Sequence, residues 1–350
     1  MSISEMTSLQ RVLTTLGHQE PDRVPLILLL TMHGAKELGL SIQAYFSKPE
    51  YVVEGQLRLR EKYRHDCLYG FFYAAVETEA WGGEVVYFDD GPPNAGAPIF
   101  SRAAQIDTVE PPDVTRAPPT RRVLTALSAL KARVGDDVPI IGVVMSPFSL
   151  PVMQLGFSGY LDLMHDDPKR FERLMAINQA FTVQWANAQL AAGATAICYF
   201  DPVSSSSIIP PERYRQTGLK VAKRTIGAIN GPTATHFASG LSRPILEDVA
   251  TSGTVMVGVS TDESLAEIKA ITAGKMSILG NLNALEMCRW SIEETEQKVK
   301  QAIHEAAPGG GFMLSDNHGE IPWQVPEETL MAVSEANRRW GRYPIRINDT

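Results

Sequence analysis

Short, continuous apolar runs recur along the chain, separated by longer stretches that are more polar. Runs of this length and composition are typical of parallel strands that are buried on both faces. Eight such runs are present, at residues 24–30, 67–72, 138–144, 194–200, 233–237, 254–259, 276–279 and 311–314. The pattern therefore predicts eight strands.

The stretches between the runs place apolar residues three or four positions apart, which predicts helices. These helices are expected at residues 53–63, 121–134, 171–192, 211–229, 265–273, 292–306 and 326–340. A further amphipathic helix is predicted at the N-terminus over residues 8–16. Gly17 and the turn sequence Glu20-Pro21-Asp22 would end it.

Strands that alternate with helices predict a parallel sheet, and eight parallel strands close most economically into a barrel. We therefore predict an α/β fold, a (β/α)₈ TIM barrel that forms a single domain over residues 1–350. Residues 82–102, rich in glycine and proline, are predicted to form a hairpin insertion after the second strand. The proline-rich residues 110–119 are predicted to be a surface connection.

Charge and cysteine content narrow the functional classes. A net charge of −8 disfavours nucleic acid and anionic membrane surfaces as partners. No apolar run approaches the ~18 residues of a membrane helix, and the N-terminal segment lacks the regions of a signal peptide. Cys67, Cys198 and Cys288 are an odd number of cysteines, which suits a reducing compartment. We expect a cytoplasmic enzyme with a small-molecule substrate, and no sequence feature specifies its oligomeric state.

Active sites on a TIM barrel lie at the carboxyl ends of the strands. The residues just after each apolar run are therefore the candidates for function, and short polar side chains and histidines are concentrated there. The candidates are His33, Glu79, Ser146, Asp201, His236, Asn281, Asn283 and His318.

Several of these segments resemble the uroporphyrinogen decarboxylase superfamily, which includes the methylcobalamin:coenzyme M methyltransferases. GHQEPDRVP (17–25) is similar to the phrase that precedes the family's first strand. ETEAWG (77–82) with DGPP (90–93) is similar to the methyltransferase branch, as are Asp201-Pro202, GNL (280–282) and HGEIP (318–322). The order and spacing of the segments together, across nearly the whole chain, carry the resemblance.

The stretch after the first strand departs from the decarboxylases of this superfamily. Those enzymes carry arginines there that hold the carboxylates of the substrate, whereas residues 30–36, LTMHGAK, contain none. Arginine is the side chain suited to bidentate carboxylate binding. The resemblance therefore does not imply decarboxylation of uroporphyrinogen.

A second departure concerns the zinc site of the methyltransferase branch, which uses a His-x-Cys pair after the fifth strand and a cysteine near the eighth. Sulfur and imidazole ligands suit zinc that activates a thiol. Here His236 is kept, but Ala238 stands at the cysteine position, and the later cysteine is missing near Asn317-His318. The sulfur-rich zinc site is absent from the sequence.

Each candidate also has a structural alternative. His236, Asp201, Glu79 and His318 are predicted catalytic residues, although strand-end histidines also serve as hydrogen-bonding groups and Asp201 could be a helix cap. Glu79 is preferred over Glu77 because it aligns with the family's glutamate. Ser146, Asn281 and Asn283 are predicted to bind the cofactor, with turn formation as the alternative for the asparagines.

A metal site made only of imidazoles is a further hypothesis. His33, His236 and His318 could hold Zn²⁺ or another divalent ion and leave one position open. His33 could instead start a helix, and the three could be separately hydrogen-bonded groups in a polar pocket.

The resemblance implies a methyltransferase that moves a methyl group between a corrinoid and a small molecule. The chain has no Asp-x-His-x-x-Gly phrase for binding a corrinoid, so methylcobalamin would arrive free or on a partner corrinoid protein. One alternative is a decarboxylase or lyase of the same family that acts on another carboxylated substrate. Another is a non-catalytic barrel that binds a tetrapyrrole.

Overall fold

The computed structural model describes residues 5–346, so residues 1–4 and 347–350 of the predicted domain lie outside it. The strands within this range are β1 Leu68–Tyr69, β2 Val85–Val86, β3 Asn94–Ala95, β4 Ile140–Met145, β5 Ala196–Phe200, β6 Thr233–His236, β7 Met256–Gly258, β8 Ser277–Leu282 and β9 Phe312–Asp316.

The helices of the described range lie mostly between these strands. They are α1 Ser8–Leu16, α2 Gly34–Leu38, α3 Ile42–Ser47, α4 Pro49–Tyr63, α5 Val76–Ala80, α6 Pro118–Val134, α7 Pro151–Leu155, α8 Phe157–Asp166, α9 Pro168–Ala191, α10 Pro211–Gln216, α11 Gly218–Ile226, α12 Leu246–Val249, α13 Leu265–Thr272, α14 Ile292–Ala306 and α15 Glu327–Trp340. Within residues 5–346, no helix is both long enough and apolar enough to cross a membrane.

Seven strands form one curled sheet in the order β1-β4-β5-β6-β7-β8-β9, and every neighbouring pair is parallel. Seven of the eight predicted strands are therefore confirmed. Residues 24–30 are not a strand and form only an isolated parallel bridge between Leu26 and Leu314. Pro25 has no N–H to donate to a ladder, which limits the pairing of this segment.

Residues 24–30 nevertheless lie between the two edges of the sheet. Ile27 N–H donates to the Leu314 carbonyl of β9 at 2.9 Å, and the Leu26 carbonyl accepts from Asp66 N–H at 2.7 Å, just before β1. Ile27 and Leu29 pack inside the curled sheet with Tyr69 and with Val12 of α1. The predicted N-terminal helix thus lies against the interior of the sheet.

Two further expectations concern local structure. Residues 82–102 contain the two-stranded antiparallel pair β2 and β3, with Val85 opposite Ala95. The helix predicted over 211–229 is broken into α10 and α11 at Thr217, whose hydroxyl bonds back to the Arg213 carbonyl at 2.6 Å. The break brings Gly218 close to Ser204, because an added Cβ at Gly218 would lie 2.6 Å from the Ser204 hydroxyl.

A buried ion network joins α1, residues 23–26 and the start of β1. The Asp66 carboxylate, which is 0% exposed, accepts from Arg11 at 2.7 Å and from Arg23 at 2.7 and 2.9 Å. It also accepts the Leu26 N–H and the Ser8 hydroxyl at 2.9 Å. Burial acts to raise the pKa of Asp66, but the two guanidiniums and the Leu26 N–H outweigh it and hold that pKa below its usual value.

We predict that Asp66→Asn lowers the free energy of unfolding by about 3–5 kcal/mol, because both guanidiniums stay buried while their shared countercharge is lost. Chemical denaturation measures this change. Since the folded-state pKa is depressed, the contribution of Asp66 is present above the unfolded pKa of about 3.9 and is lost as the pH falls through the folded pKa.

The matched control is Asp166→Asn, which removes an exposed carboxylate from α8. It should change stability by no more than about 0.5 kcal/mol. An equal loss of stability in both variants would contradict the structural role given to Asp66.

Candidate functional site

All seven strands are parallel, so their carboxyl ends and the segments after them lie at one edge of the sheet, here called the mouth. Residues 30–33 belong to the mouth as well, because Ile321 N–H, in the segment after β9, donates to the Leu29 carbonyl at 3.0 Å.

Asp201 follows β5 and is buried among serine hydroxyls. Its Oδ1 accepts from Ser146 at 2.5 Å and from Ser149 at 2.7 Å, both in the segment after β4. Burial raises the pKa of Asp201, and the serine hydroxyls offset part of this increase. Ser146 was predicted to bind a cofactor, but its hydroxyl donates its hydrogen bond to Asp201.

His236 ends β6 and is held as a neutral ring. Its Nδ1 accepts from the Ala238 N–H at 3.0 Å, and its ring stacks on Phe200 with the centroids 5.5 Å apart. Burial and the nearby His318 lower the pKa of His236 to about 4. Because Nδ1 accepts, the proton of the neutral imidazole is on Nε2, which has no hydrogen-bond partner among the described residues.

The loop after β9 packs against this ring. An added Cβ at Gly319 would lie 2.6 Å from Phe200 and 3.6 Å from the His236 ring, so only glycine fits there. His318 Nδ1 hydrogen-bonds the Ser239 hydroxyl, and burial lowers the pKa of His318. The structure therefore brings His236 and His318 close together.

His33 does not lie with His236 and His318. It stands at the N-cap of α2, with its ring 5.9 Å from that of Trp323, and neither ring nitrogen makes a hydrogen bond of normal geometry. Burial and the Lys36 charge lower the pKa of His33 to about 3.

The predicted three-histidine metal site is not formed. Within residues 5–346, no group of three or more His, Cys, Asp or Glu side chains is arranged to hold a metal ion. The His236 ring also has the wrong polarity, because a metal-bound histidine normally donates its second ring N–H, whereas Nδ1 of His236 accepts.

Glu79 is paired rather than free. It accepts from Arg122 at 2.9 Å and from the Tyr73 hydroxyl at 2.6 Å, which neutralises its charge. The sequence favoured Glu79 over Glu77, but Glu77 is the more buried of the two side chains. Its Oε1 accepts the Met145 N–H at 2.8 Å, and burial raises the pKa of Glu77 to about 8.

Asn281 lies near the end of β8, Asn283 follows that strand, and both bond mainly to backbone. Asn281 donates to the Ser260 carbonyl at 2.8 Å, and Asn283 accepts from Leu285 and Glu286 N–H groups at 3.2 Å. Both also line a polar cleft of about 390 Å³ between the segments after β7 and β8 and helix α14. The turn-forming alternative thus holds for Asn283, and both residues remain beside a cleft.

Two acidic residues of the mouth were not among the predicted site residues. Asp316 ends β9, and its Oδ2 accepts the His318 and Gly319 N–H groups at 2.9 and 3.1 Å. Glu320 accepts the Thr31 hydroxyl and, at 3.3 Å, the Met32 N–H, both on Oε1. The sequence offered one signal for both residues, which is their position after the eighth apolar run. Asp316 lies just before the phrase HGEIP, which carries part of the family resemblance, and Glu320 lies within it.

Comparison with known proteins shows similarity along nearly the whole chain. The family model described as uroporphyrinogen decarboxylase (URO-D) matches residues 7–340. Methylcobamide:CoM methyltransferase MtaA from Methanosarcina barkeri is 25% identical over 343 residues, covering 95% of this chain and 98% of that protein. Uroporphyrinogen decarboxylase from Thioalkalivibrio sulfidiphilus is 24% identical over 304 residues, covering 83% of this chain and 84% of that protein.

Among solved structures, a methyltransferase from Methanosarcina mazei superposes with a TM-score of 0.87 at 22% identity, over 96% of this chain and 99% of the other. This similarity supports the fold, while the match to the family model covers nearly the whole sequence. The chain therefore belongs to the uroporphyrinogen decarboxylase family.

Proposed function

We propose that this protein transfers a methyl group between a corrinoid and a small molecule. The observation that carries the proposal is the chemistry of the mouth. Its strand-end titratable groups include the acids Asp201, Asp316 and Glu320, and residues 30–36 offer no arginine for a polycarboxylate substrate. The similarity to a methylcobamide:CoM methyltransferase over nearly the full length of both chains supports methyl transfer.

In this proposal, His236 acts as a hydrogen-bond donor. The Ala238 N–H fixes the ring through Nδ1, so Nε2–H is the group available to a substrate. A neutral imidazole held in this way stabilises negative charge on a substrate atom without adding a full positive charge to the mouth. Asp201, fixed by Ser146 and Ser149, supplies a second oriented polar group.

The described residues do not fit a zinc ion. Ala238 offers no sulfur, Nδ1 of His236 is an acceptor, and His33 packs on Trp323 instead of meeting the other histidines.

The corrinoid is proposed as a substrate that arrives free or on a partner protein. When bound, it supplies the cobalt that gives or receives the methyl group. The polar cleft beside Asn281 and Asn283 adjoins the mouth and is the proposed contact for its polar groups. We also propose that residues 24–30 act as the eighth member of a closed barrel, because they hydrogen-bond to both edges of the sheet. Approach of the corrinoid from the side of the cleft is consistent with such a barrel.

The direct test is spectroscopic. We expect the purified protein to change the absorption spectrum of cob(I)alamin or methylcobalamin when a suitable methyl donor or acceptor is present. Carbon dioxide release without a change at cobalt would favour the family's alternative, a decarboxylase or lyase. Tight tetrapyrrole binding with no turnover would favour a binding barrel.

We predict that His236→Ala lowers the rate of methyl transfer about 10²-fold or more, because the oriented donor at the mouth is lost. His236→Gln should retain more activity, since its amide can donate from a similar position. Steady-state rates at saturating substrate measure both variants.

His165→Ala, at an exposed position of α8, is the matched control and should leave the rate unchanged. A His236→Ala variant with normal turnover and only a lowered melting temperature would reduce His236 to a structural hydrogen-bonding group.

We also predict that the protein does not convert uroporphyrinogen to coproporphyrinogen. Without arginines in residues 30–36, the substrate's carboxylates would be desolvated and unpaired beside Asp316 and Glu320, at a cost of several kcal/mol per ion. Chromatography of the oxidised porphyrins after incubation measures conversion, with an authentic decarboxylase as positive control. Robust formation of coproporphyrin would refute this prediction.

A further inference from the structure

A second cleft, of about 420 Å³, lies at the end of the sheet opposite the mouth, where the strands begin. Its walls include the start of α1, the end of α4 and residues that precede β1 and β4. This basal cleft is defined by the five arginines that line it, Arg11, Arg23, Arg60, Arg64 and Arg338. In a chain with a net charge of −8, they are a local concentration of positive charge.

Two of the five arginines have countercharges. Arg11 pairs with Asp22 at 2.6 Å and with Asp66 at 2.7 Å, and Arg23 pairs with Asp66 at 2.7 Å. Two carboxylates therefore balance two guanidiniums, and these ion pairs carry the structural role described for Asp66. The three other arginines of the cleft are not part of that network.

Those three arginines have no ion pair. One Arg60 nitrogen donates to the Ser8 hydroxyl at 3.2 Å, but its Nε is buried and has no hydrogen-bond partner. The side chains of Arg64 and Arg338 make no hydrogen bond or ion pair with any of residues 5–346. Guanidiniums bind phosphate oxygens through two parallel N–H groups, so three unpaired ones in a single cleft form a site for that anion.

The charges of the cleft act on one another. Burial lowers the pKa of Arg338, and the charges of Arg64 and Arg23 lower it further, while Glu5 and Asp66 oppose them. Like charges that repel in this way are stabilised by an anion bound among them.

Acidic side chains at the edge of the cleft do not cancel its charge. Glu5, Glu61 and Asp137 also line it, but all three are exposed, and none forms an ion pair with an arginine of the described chain. Water and salt screen exposed charges more than buried ones. The start of α1 adds a favourable contribution, because the N-terminus of a helix attracts anions.

We propose that the basal cleft binds a phosphate group, held by Arg60, Arg64 and Arg338. Its volume of about 420 Å³ lies within the roughly 300–1,000 Å³ of small-molecule sites, so it can also hold the rest of a phosphorylated molecule. The cleft and the residues proposed for methyl transfer lie at opposite ends of the sheet. The basal cleft is therefore a second site, and the inference does not depend on the proposed function.

Binding at the basal cleft stabilises the fold. Arg23 and Asp66 both line the cleft, and they hold the stretch that lies between the two sheet edges. A ligand that binds only the folded protein raises its melting temperature as the ligand concentration rises. We expect inorganic phosphate to raise the melting temperature more than NaCl does at equal ionic strength.

The experiment measures binding directly. The full chain is titrated by isothermal calorimetry with inorganic phosphate and, separately, with adenosine monophosphate, in a buffer whose ionic strength is held constant with NaCl. We expect one saturable site for each probe. Adenosine monophosphate bound about 10-fold or more tightly than phosphate would identify a phosphorylated molecule as the ligand, and equal affinities would identify free phosphate.

Two variants locate the site. Arg338→Gln removes one unpaired charge and leaves the Asp66 ion pairs in place. Arg64→Gly removes another, and because Arg64 has a φ of 52°, glycine adopts its backbone conformation readily. Each variant should weaken the binding of both probes about 10-fold or more, since a hydrogen bond to a charged group contributes at least that factor.

Arg339→Gln is the matched control. Arg339 is the exposed neighbour of Arg338 on α15 and pairs with Glu296 at 2.9 Å, outside the cleft. It should bind both probes with unchanged affinity. An equal loss in all three variants would reduce the effect to the overall charge of the protein and overturn the proposal.

Three other results would also overturn the proposal. They are the absence of saturable binding of either probe, wild-type affinity in both Arg338→Gln and Arg64→Gly, and equal stabilisation by phosphate and NaCl. None of these results bears on methyl transfer, which is measured at cobalt.

Discussion

The ionic contacts of Asp66 are the constraint on which the mouth depends. Seven strands leave two sheet edges, and residues 23–26 are held between them by Arg23, by the Leu26 N–H and by contacts of β9. The same chain runs on to Thr31 and Met32, whose donors hold Glu320. The Asp66 carboxylate and Glu320 thus bind two points of one short stretch of backbone, at Leu26 and at Met32. Because both guanidiniums are buried, the loss of the Asp66 charge would leave them without their shared countercharge, which is strongly destabilising.

Most of the fold was predictable because buried parallel strands leave a simple signature. The sheet strands are mostly buried and largely apolar, so a short continuous run marks most of them whatever the sequence of the next segment. The prediction was wrong at residues 24–30, where apolar composition matched a strand but Pro25 lacks a ladder donor. It was also wrong at the break between α10 and α11, where the Thr217 hydroxyl bonds back to the Arg213 carbonyl and Gly218 packs closely against Ser204. The first error comes from a proline within an apolar run, and the second arises where a tertiary contact interrupts a helical pattern.

The site was predictable in position but not in chemistry. Strand ends placed Asp201, His236 and His318 at one edge, because topology alone fixes that. Sequence does not show which partner neutralises a carboxylate, and Arg122, 43 residues from Glu79, takes that role. Nor does it show that His33 stacks on Trp323. Asp316 and Glu320 were passed over because sequence alone shows neither the burial that raises their pKa values nor the distant Thr31 and Met32 donors to Glu320.

The backbone at position 238 determines how the ring of His236 is held. Ala238 adopts a left-handed φ of 53°, a conformation that costs roughly 1–2 kcal/mol for a residue with a Cβ, and its N–H then reaches Nδ1 of His236. The backbone at this position, not the side chain, decides which ring nitrogen carries the proton. In the segment that begins at the end of β9, burial raises the pKa of Asp316 to about 6 and that of Glu320 to about 8. With alanine at position 238, the backbone N–H and no side-chain sulfur contacts His236, so the ring is held as a neutral hydrogen-bond donor.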